Sequence, residues 1–259
     1  LGAPSALSKG MTMKFSSYLR HDDGLVERHF TVGEVPGILW TPESAGSVPV
    51  PLIVLGQQGG LKQMYPRLLS RSRASAGHGF ATATVELPGS GERPRIDEFD
   101  QRRAELRHVA LAGGTPDADL IDRLILPLVD RAVPESQDVL DALLTLSELR
   151  EPIGISGGFI SIGVRLARVD HRIAAANLFA GSFVPTAIID EARTVTIPLH
   201  VLLQWDDAGN HRQVALDLFD AFGSAEKTLA ANVGGHTGVP SWAGEEVNRF
   251  FTRHLHPVG

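Results

Sequence analysis

The chain contains no cysteine. Disulfides, thiolate metal sites and a cysteine nucleophile are therefore excluded. There is no basic excess: 24 Lys and Arg face 30 Asp and Glu, for a net charge of -6. Phosphate binding needs a basic face, so no nucleic-acid partner is expected. No apolar run reaches the roughly 18 to 20 residues of a spanning helix, and no membrane partner is expected. The start, "LGAPSALSKGMTMKF", lacks the basic-then-apolar order of a secretory signal. A cytoplasmic location is the expectation. Residues 1–10 read as a tag or a disordered N-terminus, with Met11 and Met13 as natural starts. G-x-x-x-x-G-K-[ST] and H-E-x-x-H are absent, and "GSGERP" lacks the third glycine of a dinucleotide fingerprint. No metal and no cofactor are implied.

What is present is an ordinary globular composition, 43% hydrophobic and 21% charged over 259 residues. Residues 28–41 read as two short strands around a Val35-Pro36-Gly37 turn. "VPLIVLG" (50–56) is a continuous apolar run stopping at glycine, as a strand buried on both faces does. A helix follows, with Pro66 in its first turn. "FATATVELPGSGERP" (80–94) is β-rich and ends in a glycine loop. Residues 98–132 read as two helices and 134–149 as an amphipathic helix with Val139, Leu140, Leu143, Leu144 and Leu146 on one face. A short strand "EPIGI" then precedes a helix. Strands at 172–180, 197–205 and "EKTLAANV" alternate with further helices. Such alternation predicts a mostly parallel sheet covered on both faces. One domain over 11–259 is expected, with 94–133 either a small helical cap or a helix pair on the sheet.

In open α/β sheets ligands sit beyond the carboxyl ends of the strands. Three polar features stand there. Ser156 lies between glycines in "GISGG", after one strand and before a helix. Asp206 and Asp207 follow "HVLLQW". His236 follows "TLAANVGG". Ser156 and Asp207 are 51 residues apart, Asp207 and His236 29. A serine hydroxyl is a weak nucleophile until a base takes its proton, and that base needs a carboxylate to hold its tautomer. The glycines are expected to let the chain turn sharply with Ser156 strained and its Oγ lifted to the top of the sheet.

G-x-S-x-G between a strand and a helix, with partners in the order Ser, Asp, His, resembles the α/β-hydrolase superfamily. The resemblance covers roughly 28–255. "VELPGSGERP" resembles its D-x-P-G-x-G-x-S loop, with Glu86 and Arg93 as variants, and "GGHTGVP" its histidine loop. Lengths and loop texts look most like the dienelactone-hydrolase-like branch, which often carries a cysteine nucleophile. Here a serine esterase is implied. The implied fold is the α/β-hydrolase fold, a twisted, mostly parallel sheet of about eight strands with helices on both faces.

The resemblance also implies roles. Ser156 attacks, His236 is the base, and Asp207 orients it, with Asp206 as the neighbouring alternative. "QWDDAGNHRQ" resembles the family's G-x-x-D-P-x-V-P, with Gln204 in the glycine position. The oxyanion donors are the N–H of Gly157 and, from "GQQGG", that of Gly59, with Gln58 in contention. Gln58, Leu61, Met64, Phe159 and Trp205 are candidate substrate contacts, against ordinary core packing. A small-molecule carboxylic ester is the expected substrate, cleaved through an acyl-enzyme. A thioester, lactone, amide or C–C bond, and a non-catalytic binding role, stay open, as does a homodimer.

Overall fold

The computed structural model describes residues 12–181 and 183–256. The expected N-terminal segment 1–10 lies outside them. Nine strands form one sheet: β1 (Met13–Arg20), β2 (Leu25–Val32), β3 (Val35–Pro42), β4 (Val50–Gly56), β5 (Ala81–Val85), β6 (Leu149–Gly157), β7 (Ile173–Phe179), β8 (Leu199–Gln204) and β9 (Lys227–Asn232). Their order is β1-β2-β3-β5-β4-β6-β7-β8-β9. The first three strands are antiparallel, and β3 joins β5 antiparallel. The other six run parallel. Their carboxyl ends therefore open on one edge.

Parallel strands need crossovers, and helices supply them. These are α1 (Leu61–Gly77), α2 (Asp97–Leu111), α3 (Ala118–Leu143), α4 (Ile160–Val169), α5 (Thr186–Ala192), α6 (Arg212–Ala221) and α7 (Ser241–Leu255). The helices split between the two faces. Leu124, Val129, Val133, Leu140 and Leu143 of α3 join α4, α5 and α6 in one core. Leu68 of α1 and Val247, Phe250, Phe251 and Leu255 of α7 form the other, with Trp40 and Ile53. Among the described residues no helix is long and apolar enough to cross a membrane.

Three expectations need correction. The early turn is Gly33-Glu34, with Gly33 at φ 57°, and Val35, Pro36 and Gly37 belong to β3. Gly is the residue for which positive φ has no steric penalty, so it wins the turn over Pro36. The helices expected at 98–132 and 134–149 are divided differently. α3 runs 26 residues through Pro127 and Pro134. A proline forfeits one backbone bond and usually kinks a helix. Here a continuous buried stripe on both sides of Pro134 holds the segments in line, and Asp117 caps the start by accepting from Leu120 N at 2.7 Å. The helix stops at Leu143, six residues short of 149. Finally, β1 lies before every expected strand. It is exposed along almost its whole length, so no apolar alternation announces it.

Beneath the sheet's amino-terminal half lies a buried carboxylate. Glu27 on β2 accepts from Tyr65 Oη (2.7 Å), Trp40 Nε1 (2.8 Å), His29 Nε2 (2.8 Å) and His21 Nε2 (3.0 Å). Burial alone would raise this carboxyl. The four donors outweigh it and hold it below the usual glutamate range. Tyr65 is pushed up to about 12 by its own burial and by the Glu27 charge.

Candidate active site

Ser156 sits near the carboxyl end of β6, opposite Leu55 on β4 and Asn177 on β7. The glycines around it are dictated by space. A Cβ on Gly154 would lie 2.7 Å from Phe251 on α7, and one on Gly158 would lie 2.7 Å from the Gly56 Cα. Both values are below any real contact, so α7 and the β4 turn approach this strand as closely as they do only because neither position carries a side chain.

The expected strain falls elsewhere. No non-glycine among the described residues has positive φ. Gly157 (φ 75°) and Gly158 (φ 82°) take the turn, and Ser156 remains regular strand. Its hydroxyl is consequently not lifted out. Ser156 is 2% exposed, and Oγ accepts from Arg71 Nη2 at 2.7 Å and from Asn177 Nδ2 at 3.1 Å. Arg71 Nη2 also donates to the Ser156 carbonyl at 3.0 Å. Two accepted bonds occupy both lone pairs of the hydroxyl. Asn177 Oδ1 in turn meets His200 Nδ1 at 3.1 Å, so His200 carries its proton there. Burial lowers the His200 pKa, which favours that neutral form. The residue types of Arg71, Asn177 and His200 give no clue to this row, because it is assembled from α1, β7 and β8.

The partner pair is formed. His236 Nδ1 lies 2.7 Å from Asp207 Oδ2. Asp207 follows β8, and His236 follows β9. Asp207 is buried and also accepts from Gly209 N at 2.9 Å and Asn210 Nδ2 at 2.5 Å. Burial pushes its carboxyl up, but the His236, Gly209 and Asn210 hydrogen bonds outweigh that and leave it below the usual aspartate range. The neighbouring carboxylate has a different task. Asp206 accepts from Gly234 N at 2.9 Å and Gly235 N at 2.9 Å, and these bonds depress its pKa. Gln204 adds a third brace, donating to the Gly235 carbonyl at 2.7 Å. The histidine loop is thus pinned from the end of β8 on both sides of its glycines. His236 itself is largely exposed and packs edge-on to Phe179, ring centroids 5.6 Å apart. No hydrogen bond joins it to Ser156.

The loop after β4 is braced by Gln57. Its Oε1 accepts from Gly60 N at 2.7 Å and its Nε2 donates to Val85 O at 2.8 Å. Gly60 N is thereby engaged, leaving Gln58 and Gly59 as the loop's candidate donors. Glu86 ties the same region to the loop after β5, accepting from Leu61 N and Glu92 N, each at 3.0 Å. The expected substrate contacts are dispersed. Gln58 is exposed, Leu61 and Met64 pack with the α1/α7 core, and Phe159 packs with the opposite core. Trp205 is 44% exposed, under the Arg212 guanidinium at 4.1 Å. It lines an open cavity of ≈ 460 Å³ with Asp206, Asp207, Asn210 and His211.

No protein-family model and no curated protein sequence matches the chain. Solved structures do. A novel cold-adapted esterase from an Arctic intertidal metagenomic library superposes with TM-score 0.73 at 26% identity, covering 94% of this chain and 100% of that one. An acetyl xylan esterase from Paenibacillus sp. R4 gives 0.65 at 15% identity, covering 95% and 90%. A glucuronoyl esterase from Solibacter usitatus gives 0.61 at 11%, covering 96% and 87%. This is an α/β-hydrolase fold.

Proposed function

We propose that the chain hydrolyses a small carboxylic ester, with Ser156 as nucleophile, His236 as base and Asp207 as its orienting carboxylate. The observation that carries this is the His236–Asp207 hydrogen bond at the carboxyl ends of β9 and β8, on the same edge of the sheet as Ser156. Esterase activity in the structural relatives, led by the 26%-identical one, supports the reaction class.

In the reaction the Ser156 hydroxyl gives its proton to His236 Nε2 as Oγ bonds the acyl carbon. Asp207 stabilises the imidazolium. The carbonyl oxygen, now negative, takes hydrogen bonds from the N–H of Gly157 and of Gly59, with Gln58 N as the neighbouring donor. His236 returns the proton to the departing alkoxide, and the acyl group stays on Oγ. A water then repeats the sequence and frees the acid. For the first step Ser156 must exchange its bonds to Arg71 and Asn177 for one to His236. Gly157-Gly158 and Gly234-Gly235 supply the backbone freedom on the two sides.

A second reading rests on the same serine. Its burial and its two accepted bonds suit a protein that binds ligands on this edge without turnover. Rates on p-nitrophenyl acetate and butyrate, beside matched thioesters and lactones, separate the readings. Ester hydrolysis lost in Ser156→Ala supports the first. A folded protein inert on all three classes supports the second.

A further inference from the structure

Helix α1 carries Lys62, Arg67, Arg71 and Arg73 and no acidic residue. Such a helix usually borrows carboxylates from its neighbours. Arg73 does so, with Asp23 at 2.7 Å. Arg71 does not. Among the described residues no carboxylate lies within ion-pair distance of it, and its hydrogen-bond partners are the Oγ and carbonyl of Ser156. Both are neutral. Burial, and then repulsion from Arg67 one turn away, pull its pKa down to about 10. Arg67 and Arg71 stand four residues apart on one face, an arrangement of like charges that disfavours a helix. Arg71 also sits at the candidate site. Arg71 Nη1 lies 3.4 Å from where a Cβ of Gly157 would be. The absence of that side chain leaves the guanidinium facing the elbow turn uncovered.

A partly buried guanidinium whose partners are both neutral keeps its charge available to an incoming anion. We infer that Arg71, with Arg67 behind it, anchors a carboxylate on the substrate, so that the favoured substrate is an acid-bearing ester such as a half-ester of a short dicarboxylic acid. A guanidinium matches a carboxylate with two parallel N–H···O bonds, and does so most strongly out of water. When a carboxylate takes Nη2, Ser156 Oγ recovers a lone pair for attack. The substrate class rests on the ester reading above, whereas anion binding at Arg71 does not.

Two measurements on the full chain test the inference and keep these apart. The first is thermal unfolding in glutarate against sodium chloride of equal ionic strength. Wild type should gain Tm in glutarate beyond the salt control. Arg71→Met should lose that gain, and Arg71→Lys should keep part of it. The second is kcat/KM for mono-p-nitrophenyl succinate relative to p-nitrophenyl butyrate. The ratio should favour the acid in wild type and fall roughly 10- to 100-fold in Arg71→Met. Should Arg71→Met fail to fold, Arg71→Lys, which keeps the charge and loses the bidentate fork, should still lower the ratio. Glutarate acting no differently from chloride on wild type overturns the inference, as does a ratio unchanged in both variants. Glutarate binding without hydrolysis of either ester leaves the anion site standing and rejects the ester reading alone.

Discussion

His236 Nδ1 and Asp207 Oδ2 are 2.7 Å apart, while the adjacent Asp206 never touches the imidazole and instead holds the backbone of the loop that carries it. Two neighbouring aspartates therefore divide one job. In the proposed reaction Asp207 sets the tautomer and Asp206 sets the position. Asp207→Asn should lower kcat by about 10² to 10⁴, through the wrong tautomer. Asp206→Ala should cost about 10-fold, through a displaced loop. Steady-state kinetics on a p-nitrophenyl ester reads both. A larger loss at 206 than at 207 would reverse the assignment.

Glu27 receives four hydrogen bonds in a buried site. Glu27→Gln keeps the shape but turns an acceptor-only group into one that presents two donors. At least two partners then lose their acceptor. The expected cost is about 2 to 4 kcal/mol. Urea unfolding should show a lower midpoint with an unchanged slope.

Asp170 is 2% exposed and binds Arg172 three ways: Nε at 2.8 Å, Nη2 at 2.6 Å and the backbone N at 3.1 Å. Burial raises its pKa, and the Arg172 bonds outweigh burial, so the folded value lies below the ordinary one. A depressed carboxyl contributes stability that is complete above the unfolded value of about 3.9 and is lost as the pH falls through the lower folded value. Arg172 is additionally held by Asp141 at 2.5 Å. Asp170→Asn should therefore destabilise at pH 7 and should flatten the fall in stability below about pH 4. Tm measured from pH 7 to pH 3 in both proteins checks the slope difference.

Much of the scaffold was legible. "VPLIVLG" reads as a buried strand because it is one, paired on both sides in the parallel half. The sequence puts Asp207 and His236 just past strand ends, where an α/β sheet gathers its polar residues, and the structure brings the two together. The strained serine was not. Two more glycines follow it, and glycine takes positive φ so readily that the turn slid one residue along. The sequence reading begins a new helix at Pro134, whereas α3 runs through it because the core on either side outweighs the missing bond. Arg71, Asn177, Glu27 and Gln204 carried no local signal. Each matters through a partner contributed by a distant element, and pairing of that kind is absent from a linear text.

In the proposed reaction Ser156 leaves Arg71 and Asn177 and attacks with the help of His236. The most direct measurement is reaction with a fluorophosphonate, followed by peptide mass spectrometry to locate the adduct. One phosphonylated residue, Ser156, should form in wild type, be abolished in Ser156→Ala and form at least about 10³-fold more slowly in His236→Ala. An unlabelled but folded wild type, or an adduct on another side chain, would contradict the proposed reaction.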